Sequence, residues 1–481
     1  MSNASEPNQS ASPAGDEPAR RSGIWLGLLA LLFALAYVVP GLVGHGPWAP
    51  EAETFAMVQN TLDGGDPVAP VLDGKPNVET PPLYTLTAVG LAHALRDYLP
   101  AHDAARLATG FYLLIAFGFT VLIGRAAWGG RDESAGTIAL LVLLGTLGVL
   151  YGGHLMGTDV ALTAGIAMAL YGLIAAPSRV LFGGLWLGTG IGLAFMAEGL
   201  FGPAILVVTA LLMPLFSHWR RGRYPRALLT AVVFAAPWLL VWPAYLYQRD
   251  PALFELWFWG HNIGPYLAGI DFSAPQSADY WLRTAPWLTF PAALLALLAL
   301  LFRPYPALTS PGVQASLVLS LAGWAVLVFS PVATELSALP LLVPLAVIGA
   351  GVVPRLPGWV VKPLYMVAVL LFAAAAIGLW ALWIWIMQTG HPPQLDLLAA
   401  VMPMDYSFQW QPIAYAAAAI FTLAWFWIVV RYRPPGAAAL LVWPAGVVLL
   451  WGLLTLLHLP WIDLAEPELA ANLKQLLSAL P

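Results

Sequence analysis

Apolar runs close to 20 residues recur from one end of the sequence to the other, beginning with "IWLGLLALLFALAYVVPGLV" at 24–43. A run of that length, wound as a helix, crosses roughly 30 Å of hydrocarbon with every backbone N–H and C=O paired inside itself. A chain made mostly of such runs has too little polar surface to fold in water. Only 9 % of its 481 residues are Lys, Arg, Asp or Glu, and mean hydropathy is +0.78. A soluble domain carries about a quarter charged residues. The sequence is that of an all-α polytopic membrane protein.

Its 22 tryptophans and 16 tyrosines suit the headgroup level, where amphipathic rings collect. The absence of cysteine excludes disulfides and thiolate chemistry. Thirteen crossings are expected, over 24–43, 104–124, 134–152, 160–176, 181–197, 200–216, 227–247, 285–302, 315–331, 338–353, 364–387, 411–430 and 437–458. The apolar part of 82–95 is only about 14 residues long, short for a crossing. Basic residues decide its role. With the N-terminus inside and 82–95 lying in the interface, 14 of the 20 Lys and Arg residues fall on the cytoplasmic side. Counting 82–95 as a crossing puts "HWRRGRYPR" (218–226) outside, against the positive-inside bias.

Residues 1–19 read as a disordered cytoplasmic tail and 20–458 as the transmembrane domain. Within that domain, 44–103 is a long first outer loop with juxtamembrane helices, and 248–284 is an outer aromatic loop. Residues 459–481 read as a short outer amphipathic segment.

The charges that remain are unevenly placed. Glu51, Glu53, Asp63, Asp66, Asp73, Lys75 and Glu79 crowd the first loop. In this topology they share the outer side with His154, Asp159, Glu198, His261 and Glu335. Ionisable groups at membrane level are costly and line cavities or pathways. Two roles stand open for Glu51 and Glu53: carboxylates favouring a helix N-terminus after Pro50, or a base above the membrane. Thr158 and Asp159 suit a helix cap as well as a second carboxylate for an acceptor. Glu198, Glu335 and His261 read equally as interfacial residues or as parts of a site. No phosphate loop, dinucleotide fingerprint, zinc finger or nucleic-acid patch is present.

The order of several blocks carries a resemblance. "WAPEAETFAMVQNTLDGGDPVAPVLDGKPNVETPPLY" is followed by "ARLATGFYLLIAFGFTVLIGRAAWG", "GTDVALT", "EGLFGPAIL", "ELWFWGHNIGPYL" and "FSPVATELSALPLLVPL". Over roughly 24–350 this resembles the bacterial membrane glycosyltransferases of the GT-C class. Nearest among them is the lipid A aminoarabinose transferase and protein O-mannosyltransferase-like group.

The resemblance implies a GT-C fold in the bacterial inner membrane with its site facing the periplasm. It implies inverting transfer of a sugar from a polyprenyl-phosphate donor to a lipid or glycan acceptor. Glu51 and Asp159 then fall on catalytic positions. Glu79 and His261 fall on positions that hold a divalent cation in some members, whether zinc, magnesium or manganese, and no nucleotide is implied. Glu53, Thr54, Lys75, Thr80, Glu198 and Glu335 fall in the substrate-binding region. There the chain departs from the pattern: Thr54, Thr80 and Glu198 stand where basic residues usually grip the carrier phosphate, and Glu335 where lysine is common. A bridging cation, an amine on the donor sugar, or a non-catalytic role beside a membrane protein partner would answer that loss. A small-molecule transporter is the remaining alternative, suggested by interrupted helices.

Overall fold

The computed structural model describes residues 16–128, 134–220, 222–267, 278–330, 333–393 and 410–458. The region is helical almost throughout, with one two-stranded hairpin among the described residues. Nine described helices are long and apolar enough to cross a membrane, or ten when a bent pair counts as one. Of the other three expected crossings, 24–43 falls on the 23-residue helix Asp16–Val38, while 134–152 and 200–216 fall on the shorter apolar helices Ala135–Leu144 and Phe201–Leu215. Each of the thirteen expected positions thus carries apolar helix, with 134–152 and 200–216 shorter than a full crossing.

Helix α1 spans Asp16–Val38, starting inside the expected disordered tail. Its opening residues, Asp16, Glu17 and Pro18, are those a helix start favours. The tail as far as residue 15, and the expected segment 459–481, lie outside the described residues. After α1 the first loop forms α2 (Ala52–Leu62), a hairpin pairing β1 (Val71–Leu72) with β2 (Lys75–Pro76), and α3 (Leu83–Leu95). Thirteen residues of α3 rise only about 20 Å, too short to span. The hairpin turns through Asp73 and Gly74, both at positive φ (51° and 76°).

Helices α4 (Ala101–Trp128), α5 (Ala135–Leu144), α6 (Leu147–Gly152), α7 (Thr158–Ala175), α8 (Val180–Glu198), α9 (Phe201–Leu212) and α10 (Arg223–Arg249) follow. Two expected crossings prove to be broken. The run 134–152 divides at Gly145 and Thr146, the latter extended, into α5 and α6. The run 285–302 turns through 87° between Asp279–Leu288 and Ala292–Phe302, where Pro291 supplies no N–H. The two breaks join each other: Leu147 N donates to the Phe290 carbonyl at 2.9 Å. Backbone groups released at depth are thus paired within the protein.

Small residues decide how closely the central helices pack. On α8, Gly183 and Gly190 face α7, while Gly184, Gly188 and Gly192 face Thr230, Ala231 and Trp238 of α10. A Cβ on Gly172 of α7 would lie 2.2 Å from the Leu187 amide nitrogen of α8. With lipid outside, no hydrophobic gain drives two helices together, and backbone-to-backbone approach supplies the dispersion energy instead. The α10 helix and the helices Gly358–Thr389 and Pro412–Arg431 sit at the periphery with Leu, Val, Ile and Trp side chains exposed.

The helix ends sort the charges. Arg125, Arg179, Arg223, Arg226, Arg303, Arg355, Lys362 and Arg431 lie at or beside the ends remote from Glu51 and Glu198. Every Asp and Glu whose side chain is described lies at the other end.

Gly172→Val should overpack the α7–α8 seam by about 1–3 kcal/mol, lowering the thermal midpoint followed by tryptophan fluorescence in detergent. Gly378→Ala, where a Cβ meets nothing within 4 Å, should leave the midpoint in place.

Candidate active site

At the acidic end the first loop is wrapped around one buried cation. Arg106, in the second turn of α4, has no exposed surface. Its Nε and Nη2 donate to the two oxygens of Glu51 at 3.2 and 2.9 Å. Nη2 also donates to the Gly46 carbonyl at 2.8 Å, and Nη1 to the carbonyls of Leu42 and His45, both at 3.3 Å. One turn earlier, Asp103 lies 3.4 Å from Nη1 and accepts from the Gly44 amide at 2.9 Å. The Trp48 ring covers the guanidinium at 5.9 Å. This pair on α4 holds four backbone groups between residues 42 and 46 and the side chain of Glu51.

Glu51 is likewise fully buried. Besides Arg106 it accepts from the Trp48 amide at 3.0 Å and the Met156 amide at 2.8 Å, so each oxygen has two N–H donors. It occupies the cap position of α2, yet its side chain makes no capping bond. The tight turn Ala49–Glu51 directs the carboxylate toward α4 instead. Capping is therefore not its role, and as placed it offers no surface to a reacting molecule.

The Met156 contact ties the first loop to the turn between α6 and α7. Three successive residues of that turn are gripped from different elements. His154 Nε2–H donates to the Tyr37 carbonyl at 2.9 Å, Thr109 Oγ1 of α4 donates to the Leu155 carbonyl at 3.0 Å, and Glu51 takes the Met156 amide. His154 is also stacked on Trp451, with centroids 4.0 Å apart. Burial holds the His154 pKa down at about 3. His45, stacked on Trp48 at 4.2 Å, is lowered by burial and then by Arg106.

Beyond this turn the carboxylates converge. Gly157, not Thr158, is the cap residue of α7. Thr158 instead donates its hydroxyl to Glu198 at the end of α8, and Asp159 sits half-buried in the first turn of α7. Glu198 lies within electrostatic reach of both Asp159 and Glu79. After Glu198 the chain turns at Gly199 (φ 62°), and Asn262 Oδ1 accepts from the Leu200 amide at 2.8 Å. Asn262 Nδ2 donates in turn to the Trp257 carbonyl at 3.0 Å. The aromatic segment Leu256–Ile263, which includes half-buried His261, is thereby fastened beside Glu198.

Other expected residues are more dispersed. Glu53, Lys75 and Glu79 are exposed, and Thr54 and Thr80 half-buried. Glu335 shares a hydrogen bond with the Tyr280 hydroxyl. Arg249 pairs with Asp66 at 2.8 Å and Arg283 with Asp279 at 2.9 Å. Among the described residues no three His, Asp or Glu side chains gather as a metal site would require. Glu79 and His261 alone fall short of the three protein ligands usual for catalytic zinc.

Arg106, Asp103 and Asn262 were not singled out by sequence reasoning. An arginine in the small-residue stretch "AARLATG" was a usable signal, because a buried cation needs dedicated partners. Asn262 carried none.

No family model matches the chain. Its curated relatives include the undecaprenyl phosphate-alpha-4-amino-4-deoxy-L-arabinose arabinosyl transferase 1 of Sodalis glossinidius. That protein is 29 % identical over 296 residues, covering 58 % of this chain and 50 % of the relative. The undecaprenyl phosphate-alpha-4-amino-4-deoxy-L-arabinose arabinosyl transferase of Edwardsiella ictaluri is 29 % identical over 356 residues, covering 69 % and 59 %. The chain thus spans about half the length of the curated relatives it matches. Among solved structures, ArnT from Cupriavidus metallidurans bound to undecaprenyl phosphate aligns with a TM-score of 0.62 at 17 % identity, covering 95 % of this chain and 80 % of that one. Its apo form gives 0.61. The fold is that of the GT-C glycosyltransferases, and the sequence is similar to the aminoarabinose transferases within it.

Arg106→Ala, which strands Glu51 and Asp103, should cost about 3–5 kcal/mol, with Arg106→Lys intermediate because the two-point contact with Glu51 is lost; thermal unfolding in detergent measures both. The lowered histidines set a pH dependence. An unfolded histidine takes a proton near 6.5 and folded His154 not until about 3. The contribution of His154 should therefore be full above about pH 6.5 and fall by about 1.4 kcal/mol per pH unit below it, with His45 adding to the loss. His154→Phe should make the overall slope between pH 6.5 and 5 shallower by about that amount.

Proposed function

We propose that the chain transfers a sugar, with inversion, from a polyprenyl-phosphate carrier of the undecaprenyl class to a lipid or glycan acceptor. The observation that carries this reading is the junction of α7 and α8, where Thr158 bonds Glu198 beside Asp159 and next to the turn held by Glu51, in a chain with the GT-C fold and aminoarabinose transferase-like sequence. The charge-sorted helix ends favour an N-terminus and basic face in the cytoplasm, with the carboxylates toward the periplasm.

The acceptor oxygen attacks the anomeric carbon from the face opposite the phosphate. The bond from that carbon to the phosphate oxygen breaks, and its electron pair leaves with the carrier phosphate. The acceptor's proton passes to a carboxylate. Asp159 suits that step better than Glu51, whose oxygens are committed to four donors. Glu51 and Arg106 instead fix the turn that carries Asp159. Lys75, exposed on the hairpin, is free of ion pairing among the described residues and would meet the carrier phosphate. A divalent cation on Glu79 and His261 would need further ligands from outside that pair, and no step is assigned to it. The surplus of carboxylates suits a sugar bearing an amine, as the relatives' names specify for theirs.

Asp159→Asn, assayed in lipid nanodiscs with a polyprenyl-phosphate amino sugar and a lipid acceptor, should lower turnover by about 10²-fold or more. Unchanged turnover would remove Asp159 from the proton-taking role. The missing basic grip at Thr54, Thr80 and Glu198 favours one second reading, a lipid- or glycan-binding subunit of a larger enzyme. An intact donor after prolonged incubation, together with a stoichiometric membrane partner on purification, would select it.

A further inference from the structure

The end of the bundle remote from the carboxylates holds a second feature that the transfer scheme does not use. A cavity of about 360 Å³ lies between α1, α5, the helix Ala292–Phe302 and the segment 437–444. Its walls include Leu29, Leu141, Leu294, Leu298, Ala438 and Trp443, and no charged side chain lines it. The Trp443 N–H is spent on the Gly145 carbonyl at 2.8 Å, so the ring presents only an apolar surface inward. The cavity opens sideways, since Leu294 and Val367 at its edge are exposed.

Val353 and Pro354 also line the cavity, and exposed Arg355 follows them directly. Arg303 lies within electrostatic reach of Arg355; it donates to the Gly351 carbonyl at 2.8 Å and stands 5.2 Å over the Trp128 ring. Lys362 and Arg433 border an adjoining recess. None of the four has a carboxylate partner among the described residues. Cations placed together with no acid between them repel, and an anion at the rim relieves that repulsion.

The two halves of this feature ask for one amphiphile. The Ala292–Phe302 helix rises about 16 Å, the depth of one leaflet of a roughly 30 Å core. A free phosphate has no use for the apolar cavity, and a neutral lipid brings no net negative charge to the basic rim. We propose that this cavity and its basic rim hold one anionic glycerophospholipid, with an acyl chain between α1, α5 and Ala292–Phe302 and its phosphate at Arg303 and Arg355.

The full chain, stripped of lipid in detergent, is offered phosphatidylglycerol or phosphatidylcholine at equal concentration, and native mass spectrometry reads the bound fraction. Phosphatidylglycerol should be retained preferentially. Arg355→Gln, at an exposed residue with no structural contact, should weaken its retention about fivefold while leaving phosphatidylcholine unchanged. Ala438→Trp, which fills the mouth, should lower retention of both. Equal retention of the two lipids by the wild-type chain would overturn the proposal, as would indifference to both substitutions. So would displacement of phosphatidylglycerol by polyprenyl phosphate with the same sensitivity to Ala438→Trp, which would assign the cavity to the carrier's tail.

Discussion

A guanidinium with no exposed surface sets the terms for the acidic end of this protein. Arg106 cannot shed its charge, and leaving water costs several kcal/mol unless acceptors surround it. Two carboxylates and three carbonyls do so. Satisfying one cation thus folds a glycine-bearing loop that has no regular structure of its own. The carboxylate that completes the shell, Glu51, reaches onward to the Met156 amide, so the geometry passes from the first loop to the start of α7. Asp159 owes its position to an ion pair it does not touch.

That division of labour bears on the electrostatics of the reaction. Arg106 is neutralised by its own partners and lends little positive potential to the space around Asp159, Glu198 and Glu79. A phosphate arriving there meets a negative field, and Lys75, Arg96, Arg249 and Arg283 are exposed cations of the outer segments. Exposed pairs such as Arg249–Asp66 are worth little, so their arginines are available at small cost.

The sequence made the helices legible because lipid leaves a backbone few alternatives: 20 apolar residues imply a helix wherever they occur. Bends were not legible. Hydropathy averaged over 134–152 or 285–302 is blind to Gly145, Thr146 and Pro291, whose effect depends on the two breaks pairing across the bundle. Acidic crowding between Glu51 and Glu79 announced the polar end, yet roles within it depended on contacts between distant positions. Glu51 meets a residue 55 positions away and Met156 105 away. Local reasoning offered capping for Glu51 and for Thr158, and each side chain turns instead to a partner on another helix. His261 drew notice as a possible ligand, while its neighbour Asn262 makes the bonds that bring the segment in.

The stack of His154 on Trp451 has a consequence for assembly. Trp451 also donates its N–H to the Pro40 carbonyl at 2.7 Å, across 411 positions, and its ring lies where a Cβ on Gly41 would fall. The last described helix therefore closes against the first turn after α1. During synthesis the early helices can insert and pair, but the wall behind the Arg106-bound loop is missing until Ala437–His458 arrives. Completion of the acidic end is then a late event in biogenesis, set by a contact between positions far apart in the chain.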